Sequence, residues 1–494
     1  MTATKQEGKR NTLYYIHIVI FILITFGFGY LPPFAQISEV GMRVLGAFLG
    51  AVYGWLFIAL DWPSLIALLA LGISGYADSF QDLFISGWTF NSVSQSLLGY
   101  CLAEALAATK FTSYVANKLM KLRIFRGKPY ALMFGCLIAS EIMFALQCGL
   151  AGLFLLWSMY STIAEKAGYE KRNKFTMIMV PSTVMSFMLA NFLWPFNPGS
   201  IVQINFFANG MAAYDSNATV PFIGWTVWWL LFTNIYLALW LVVVKYGLRL
   251  RFPEIAVLGE ELAAMGGKDE KMTFEQKYAL GVLIGFLVGM FLPNIAPAEW
   301  VLAKICSMLG LTGMLCLALC ILCAYRKANG EEFITFQSIS KGIVWNIIWL
   351  LVATEPLANA FNAEQCGIMA SIMAVVTPIL HSTGSTVFLI VALIILGLVT
   401  QVVHNFVLMV VFIPLLCPMY AQTGGNSFVM FFGLIVVLNS ALTTPAASYL
   451  SALMFGSGTM ETKDCYIQGF VHFVFALLLF FLIGAPLVNL LMPY

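Results

Sequence analysis

The sequence predicts an all-α polytopic membrane protein. Of its 494 residues, 61% are hydrophobic and only 10% are charged, whereas a soluble domain carries roughly 25% charged residues. Apolar segments such as YYIHIVIFILITFGFGY and ALLLFFLIGAPLVNLL approach the ~20 residues with which a helix crosses a bilayer. Most cysteines lie inside such segments, where a free thiol acts as a small buried hydrophobic group rather than as half of a disulfide.

Apolar runs and their length predict about eleven membrane-spanning helices. In order these cover 13–31, 41–60, 62–78, 86–108, 173–211, 222–247, 277–295, 301–325, 336–361, 428–456 and 466–490. Two further apolar segments, 129–165 and 384–421, are too long for one crossing and end in polar residues. We predict that both are re-entrant hairpins, which a membrane tolerates only where protein or a water-filled cavity surrounds the tip.

The positions of Lys and Arg predict the orientation. With a cytoplasmic N-terminus, the cytoplasmic segments are 1–12, 109–128, 165–174, 245–277, 326–341 and 457–465. They hold every Lys and Arg except Arg43 and Lys304, in accordance with the positive-inside rule. We therefore expect a plasma (inner) membrane protein with an extracytoplasmic C-terminus, in which one hairpin enters from each side.

Three pairs of segments recur in the same order along the chain. LAEALAATKFTSYVANKLMK is similar to LANAFNAEQCGIMASIM, and the hairpin runs LQCGLAGLFLLWSM and VHNFVLMVVFIPLL align Trp157 with Pro414. FNPGSIVQINFFANG is similar to TTPAASYLSALMFGSG and aligns Pro198 with Pro445. This order predicts inverted-topology repeats. Corresponding helices broken by Gly or Pro then indicate the binding site of a secondary transporter.

The residues at the predicted breaks indicate which ligands these breaks can bind. Pro198 removes a backbone donor and Gly199 allows the chain to leave helical geometry, and Thr443, Thr444 and Pro445 do the same in the second repeat. Free carbonyls beside hydroxyl groups suit Na⁺, whereas free amides at the N-terminus of a half-helix suit a carboxylate. The structural alternative is a proline kink that a neighbouring Ser or Thr relieves.

The chain resembles the divalent anion/sodium symporters of the ion transporter superfamily. GYCLAEALAATKFTSYVANKLM and WNIIWLLVATEPLANAFNAEQCGI resemble that family's LAxAL…GLA segments, and the pair of hairpin and broken helix occurs twice. The resemblance implies a homodimeric elevator that moves Na⁺ and a carboxylate past a scaffold. The implied division is a cytoplasmic N-terminus at 1–12, scaffold at 13–128 with an interfacial helix at 109–128, transport domain at 129–247, a cytoplasmic loop at 248–276, scaffold at 277–383 and transport domain at 384–494.

At each hairpin tip, members of the resembled family place a Ser-Asn-Thr triplet. The second tip here aligns as His404, Asn405 and Phe406, with Thr400 where a sodium-site hydroxyl is expected. The resemblance therefore implies that Thr400, Asn405 and Thr443 bind Na⁺. Phe406 indicates a substrate that is larger or less polar than succinate.

The first tip departs further from the family. It aligns as Gln147, Cys148 and Gly149, with Met143 in the hydroxyl position, so its sodium site looks eroded. The predicted substrate-binding residues are Gln147, Cys148, Gly149, Asn197, Pro198, Gly199, Ser200, His404, Asn405, Phe406, Thr444 and Pro445. Neither tip nor either break has a Lys or Arg nearby, which argues against a tightly held, highly charged anion such as citrate or phosphate.

Ionisable residues in apolar segments are functional candidates by default. His404 has three interpretations: it donates to a substrate carboxylate, shuttles protons or caps a neighbouring backbone group. Glu141 lies two turns before the first tip, where it relays protons, neutralises a cation or pairs with a neighbouring helix. Glu104 and Glu355 fall in the implied scaffold, where a structural role is expected, and Asp61 is predicted to cap a helix.

The leading functional hypothesis is a symporter that couples the transport of an organic anion to Na⁺. No cofactor is expected besides this coupling ion. An H⁺-coupled carrier or an organic-acid exchanger is the close alternative, and a channel is the second class. A membrane enzyme is not expected, because the sequence has no HExxH motif, phosphate-binding loop or Cys/His metal spacing. The expected partners are the small anion, the lipid bilayer and a second copy of the chain, with no nucleic acid.

Overall fold

The fold is known from a computed structural model, and the structure describes residues 2–109, 128–145, 149–212, 214–215, 218–257, 271–297, 299–327, 330–371, 374, 384–445 and 447–493. Within these ranges the regular structure is helical, apart from an isolated β-bridge between Arg326 and Glu332. Long apolar helices account for most of it. The protein is an all-α integral membrane protein, and the predicted fold class is confirmed.

The main helices are numbered in chain order. They are α1 (Thr2–Gly27), α2 (Glu39–Phe57), α3 (Trp62–Gly72), α4 (Phe80–Thr89), α5 (Asn91–Ala108), α6 (Pro129–Ala145), α7 (Gly149–Lys166), α8 (Lys174–Ala190), α9 (Pro198–Met211), α10 (Phe222–Val242), α11 (Phe274–Ile295), α12 (Val301–Ala324), α13 (Trp345–Asn362), α14 (Ser385–Val399), α15 (Asn405–Gln422), α16 (Ser427–Asn439), α17 (Tyr449–Gly456), α18 (Thr462–Leu479) and α19 (Ala485–Leu491). Short helical turns occur at Phe28–Tyr30, Pro253–Val257, Phe336–Ile339, Ser340–Gly342 and Glu364–Cys366, and π-helical turns at Val243–Gly247 and Phe480–Gly484.

Seven helices of the described ranges are long and apolar enough to cross a membrane. The count rises to eight if Phe336–Gly342 and Trp345–Phe361, which are bent by 71°, form one span. The number is below the predicted eleven because several predicted spans are interrupted. The segment 173–211 consists of α8 and α9, and the segment 428–456 consists of α16 and α17.

The first break lies before Pro198, which corrects the sequence interpretation. Pro198 and Gly199 were expected to interrupt a helix, but the irregular segment is 191–197 and Pro198 begins α9. A proline in the first helical turn costs no hydrogen bond, because the amide there has no partner within the helix. In the second repeat the irregular segment is 440–448, which contains Thr443, Thr444 and Pro445 as predicted.

The chain divides into two compact units. The smaller unit comprises Met1–Leu97 and Val344–Phe388. In it, α2 packs against α1 and α3, and α13 packs against α2, α3 and α4. Glycines allow these contacts: a Cβ atom at Gly41 would clash with the Cys366 carbonyl, and one at Gly87 with the Val352 carbonyl. Asp61 caps α3 as predicted, since its Oδ1 accepts a hydrogen bond from Trp62 N at 2.8 Å.

The larger unit comprises Leu98–Ile343 and Leu389–Tyr494. It contains the two predicted tips and both broken helices, with α16 buried along its whole length. Each predicted hairpin consists of two helices, α6 with α7 and α14 with α15. Residues 277–343, which the resemblance assigns to the scaffold, group with this unit, and the functional division into scaffold and transport domains stays a prediction.

Candidate functional site

Hydrogen bonds join the second hairpin tip to the second helix break. The Gln401 amide donates from Nε2 to Gly397 O at 2.9 Å and to Ser440 O at 3.3 Å. Its Oε1 accepts from Thr443 N at 3.1 Å, and its backbone carbonyl accepts from Thr444 Oγ1 at 2.5 Å. One buried amide side chain therefore bridges the tip and the break, and it satisfies backbone groups that the irregular segment leaves open.

The predicted cation ligands of the hairpin reach the same break. Asn405 N donates to Ala447 O at 3.1 Å, and Asn405 Nδ2 donates to Asn439 Oδ1 at 3.3 Å. Thr400 is fully buried, and its Oγ1 donates to Leu438 O at 3.3 Å. The structure thus brings Thr400 and Asn405 together with the residues around Thr443.

Oxygen atoms line the second break. Ser448 Oγ donates to Ala441 O at 2.9 Å, and Ser451 Oγ donates to Leu442 O at 2.9 Å and to Thr444 O at 2.7 Å. Thr443 Oγ1 is buried and has no hydrogen-bond partner in the described part of the chain. The Ala441 and Leu442 carbonyls each retain a second lone pair, whereas Thr444 O also accepts from Ala447 N at 3.1 Å.

This oxygen set suits a hard monovalent cation. Unwound backbone carbonyls with neighbouring hydroxyl groups are the ligands that transporters use for Na⁺. By contrast, no group of three or more His, Cys, Asp or Glu residues within the described ranges could hold a metal ion. The residues present therefore fit Na⁺ better than a transition metal.

His404 caps the second arm of the hairpin. It precedes α15, and its Nδ1 accepts a hydrogen bond from Phe406 N at 3.3 Å. An accepting Nδ1 carries no proton, so in a neutral ring the proton lies on Nε2, which is then a donor. That Nε2 makes no hydrogen bond to any residue that the structure describes. Capping, one of the three interpretations, is observed, and the ring keeps one donor for a ligand.

The first break ends in a helix N-terminus without a side-chain cap. Asn197 occupies the capping position of α9 but caps nothing; its Nδ2 donates back to Asn191 O at 3.1 Å. Ser200 Oγ donates to the same carbonyl at 3.4 Å. A Cβ atom at Gly199 would clash with the Asn191 side-chain amide, so glycine permits this close approach. The N-terminal amides of α9, together with the helix dipole, are suited to an anion.

The half-helix α9 lies along α15, the second arm of the other hairpin. The rings of Phe206 and Phe406 are 6.4 Å apart between centroids, and a Cβ atom at Gly210 would lie 2.6 Å from Pro414 O. Gln203 on α9 is 1% exposed, and its Oε1 has no partner within the described ranges. A half-helix of the first repeat therefore packs on the hairpin of the second.

The reciprocal pair is α7 with α17, and a cavity of about 420 Å³ separates them. Its lining comprises Phe154, Trp157, Ser158, Ser161, Ala452, Leu453, Gly456, Ser457 and Thr459. The sequence alignment pairs Trp157 with Pro414 and Ser457 with Gly210. Because Gly210 meets Pro414 while Trp157 and Ser457 share one cavity, both half-helices face the hairpin of the other repeat, as inverted repeats require.

The first hairpin tip can be described only in part. Gln147 and Cys148 lie outside the described residues, and Gly149 is the first residue of α7. Met143 is fully buried on α6. Glu141 is 3% exposed, and its Oε1 accepts a hydrogen bond from Asn234 Nδ2 at 3.1 Å. Pairing with a neighbouring helix is thus the interpretation of Glu141 that the contacts show.

Four residues that organise the second tip and break are absent from the predicted site: Gln401, Asn439, Ser448 and Ser451. The available signal was the density of polar residues in NSALTTPAASYLS inside an apolar segment. Which carbonyl each of them contacts is decided by tertiary structure.

The fold is similar to that of a membrane transporter of known structure. A crystal structure of the YdaH transporter of Alcanivorax borkumensis, described as having an unusual topology, matches with a TM-score of 0.55 and 14% sequence identity. The match covers 82% of this chain and 87% of that chain. No family model matches the chain, and no curated protein matches it at the level of sequence. At this identity the likeness concerns the fold alone, and the chain has the fold of a transporter.

Proposed function

We propose that the protein is a secondary active transporter that moves an organic anion, a mono- or dicarboxylate, together with Na⁺. The observation that carries this proposal is the contact of the second tip with the second break, where the buried Thr443 Oγ1 has no hydrogen-bond partner among the described residues. A buried polar atom without a partner costs about 1–3 kcal/mol, and a coordinated cation would offset that cost. Thr400, Asn405 and the break carbonyls supply the remaining oxygen atoms.

We expect neutral donors to bind the anion. The uncapped N-terminus of α9 offers the amides of Gly199 and Ser200, and His404 offers its Nε2–H. Asn197, Thr444 and the exposed Pro445 would border the same space. Because this set contains no fixed cation, we expect a weakly charged carboxylate to bind better than a multiply charged anion.

The proposed carrier is a divergent divalent anion/sodium symporter that works as a homodimeric elevator. The fold likeness to a transporter supports the general class, and the residues of the second repeat support the cation. We place it in the plasma (inner) membrane with a cytoplasmic N-terminus, following the positive-inside rule. H⁺ coupling or exchange of organic acids would use the same anion site, and no residue set that we identify favours an enzyme.

Uptake into proteoliposomes tests the coupling ion. A panel of mono- and dicarboxylates is supplied under an imposed Na⁺ gradient, a pH gradient or a counter-substrate load. We expect the Na⁺ gradient to drive concentrative uptake. If uptake does not respond to Na⁺ but responds to the pH gradient or to the counter-substrate load, H⁺ coupling or exchange replaces the proposed Na⁺ coupling.

A matched pair of substitutions tests the cation ligand. Thr443→Val removes the unpartnered hydroxyl with little change of shape, and Thr233→Val removes an equally buried, unpartnered hydroxyl on α10. We expect the first variant to raise the half-saturating Na⁺ concentration roughly tenfold, which corresponds to a loss of about 1.4 kcal/mol. The second should leave it unchanged, and equal effects would remove Thr443 from the site.

A further inference from the structure

The first hairpin buries a carboxyl group that has no counter-ion among the residues that the structure describes. Glu141 lies on α6, 3% exposed, with Asn234 on α10 as its one hydrogen-bond donor in the described ranges. The described Lys, Arg and His side chains form no ion pair with it. Among the described residues, one neutral amide is therefore the hydrogen-bond partner of this carboxyl group.

The helices packed on α6 are α7, α8 and α10, with the short turn Pro253–Val257 at one end. Their titratable side chains are Tyr160, Glu165, Lys166, Lys174, Tyr236 and Glu254. The two tyrosines inside the membrane region have partners of their own: Tyr160 OH lies 2.9 Å from Thr183 Oγ1, and Tyr236 OH lies 2.6 Å from His472 Nδ1.

The cations of these elements lie at helix ends. Lys166 ends α7, Lys174 begins α8, and Lys245 follows α10 with its Nζ 5.4 Å from the ring centroid of Tyr130. Along α6, Tyr130 is about 16 Å from Glu141 at a rise of 1.5 Å per residue. Lys245 is therefore held at the far end of the helix.

An ionised carboxylate in such a place would be strongly unfavourable, and buried acids in apolar surroundings take up a proton instead. We propose that Glu141 is a proton-binding site: it holds a proton in this conformation, with Oε1 as the carbonyl oxygen facing Asn234, and releases it when movement of the hairpin brings water to it. The proton leaves to water and returns from water, so the step needs no other reactant.

Alignment of the two repeats gives the proton site a place in the carrier. Met143 aligns with Thr400, so the first repeat has a thioether where the second has a cation-site hydroxyl. Glu141 aligns with Leu398, so the first repeat has a carboxyl group where the second has none. We infer that the first repeat binds H⁺ where the second binds Na⁺, and this assignment to transport rests on the proposed function.

Infrared spectroscopy tests the proton site without any transport assay. The full-length protein is purified in lipid nanodiscs at neutral pH, and the C=O stretch of protonated carboxyl groups is compared between the wild type, Glu141→Gln and Glu355→Gln. Glu355 is a second buried carboxyl group in an apolar helix. We expect Glu141→Gln to remove a band that Glu355→Gln leaves in place. If Glu141→Gln leaves the band intact, the proton site is overturned.

Two further variants keep the proposal decidable. Asn234→Leu removes the donor and should shift the frequency of the same band; an unshifted band contradicts the assignment even if Glu141→Gln does not fold. In proteoliposomes, Glu141→Gln should flatten the pH dependence of uptake, whereas Glu355→Gln should keep the wild-type profile. If Glu141→Gln removes the infrared band but keeps the wild-type pH profile of uptake, Glu141 binds a proton that takes no part in coupling. If the wild type shows no uptake, only the proposed function is rejected.

Discussion

The two hairpins share a topology but hold their tips in different ways. In the second repeat, the Gln401 side chain bridges the tip and the break through two hydrogen bonds, to Ser440 O and from Thr443 N. The aligned residue of the first repeat is Phe144, whose ring lies 3.7 Å from that of Phe187 between centroids. At the described end of α6, Trp194 Nε1 also donates a hydrogen bond to Ala145 O at 3.1 Å. At these aligned positions the second repeat therefore has an amide side chain and the first repeat has an apolar ring.

The two half-helices, α9 and α17, differ in whether a side chain caps their N-terminus. The second, α17, is capped by Ser448, whose Oγ accepts from Ser451 N at 3.1 Å, whereas α9 has no side-chain cap. Free amides are therefore offered by the first repeat and coordinating oxygens by the second. Under the proposed function, the two repeats would then have different roles: the first break would bind the anion and the second break the cation.

The largest expected effect comes from removing the Gln401 amide. Gln401→Leu would leave Thr443 N buried without its hydrogen-bond partner, at about 1–3 kcal/mol, and would leave Ser440 O with the hydrogen bond from Leu442 N alone. We expect the free energy of unfolding to fall by roughly 3 kcal/mol and uptake to be lost. Thermal unfolding of the purified protein measures the first quantity.

Gln203→Leu is the matched control for that measurement. Gln203 is equally inaccessible, but its Oε1 already lacks a partner, so replacing it should cost far less stability. Equal losses in the two variants would mean that burial of any amide, rather than the bridge, stabilises this part of the unit.

A second comparison concerns the two packed pairs, α9 with α15 and α7 with α17. Gly210→Ala places a methyl group against the backbone of Pro414, which cannot move aside, so we expect an overpacking cost of about 1–3 kcal/mol. Gly456→Ala places the same group in open space beside the cavity and should be neutral or slightly stabilising, because alanine favours the helix. The unfolding temperatures of both variants test this comparison. A lower unfolding temperature for Gly456→Ala would mean that the cavity closes in solution.

Much of this arrangement could be predicted from the sequence because it depends on local patterns. Apolar run length predicts the class, and the polar residues Thr400 and Asn405 in an apolar run mark the second tip. The first break was placed too late, because Pro198 is compatible with both a kink and a helix start. Gln401 with Ser440, and Glu141 with Asn234, join residues far apart in the chain. No periodicity encodes such pairs, so only the folded structure reveals them.

A third prediction separates the two roles of His404. His404→Asn keeps a side-chain acceptor at the capping position but removes the Nε2–H donor, whereas His404→Ala removes both. We expect both variants to lose uptake. His404→Ala should lose at most about 1 kcal/mol more stability than His404→Asn, because Phe406 N also donates to Asn405 Oδ1 at 2.9 Å. Uptake and thermal unfolding are measured on the same preparations. Normal uptake by His404→Asn would restrict the residue to its capping role.

The smallest expected effect distinguishes the two helix N-termini. Ser448→Ala removes a cap and should cost about 1 kcal/mol of stability, while Asn197→Ala removes none and should cost less. Binding should respond in the reverse order, because Asn197 borders the uncapped amides of α9 and Ser448 blocks those of α17. Ligand-induced stabilisation reports this, since a carboxylate that binds only the folded state raises its unfolding temperature. If Ser448→Ala weakens that stabilisation more than Asn197→Ala does, the anion binds at the second break and not at the first, and the proposed roles of the two repeats are reversed.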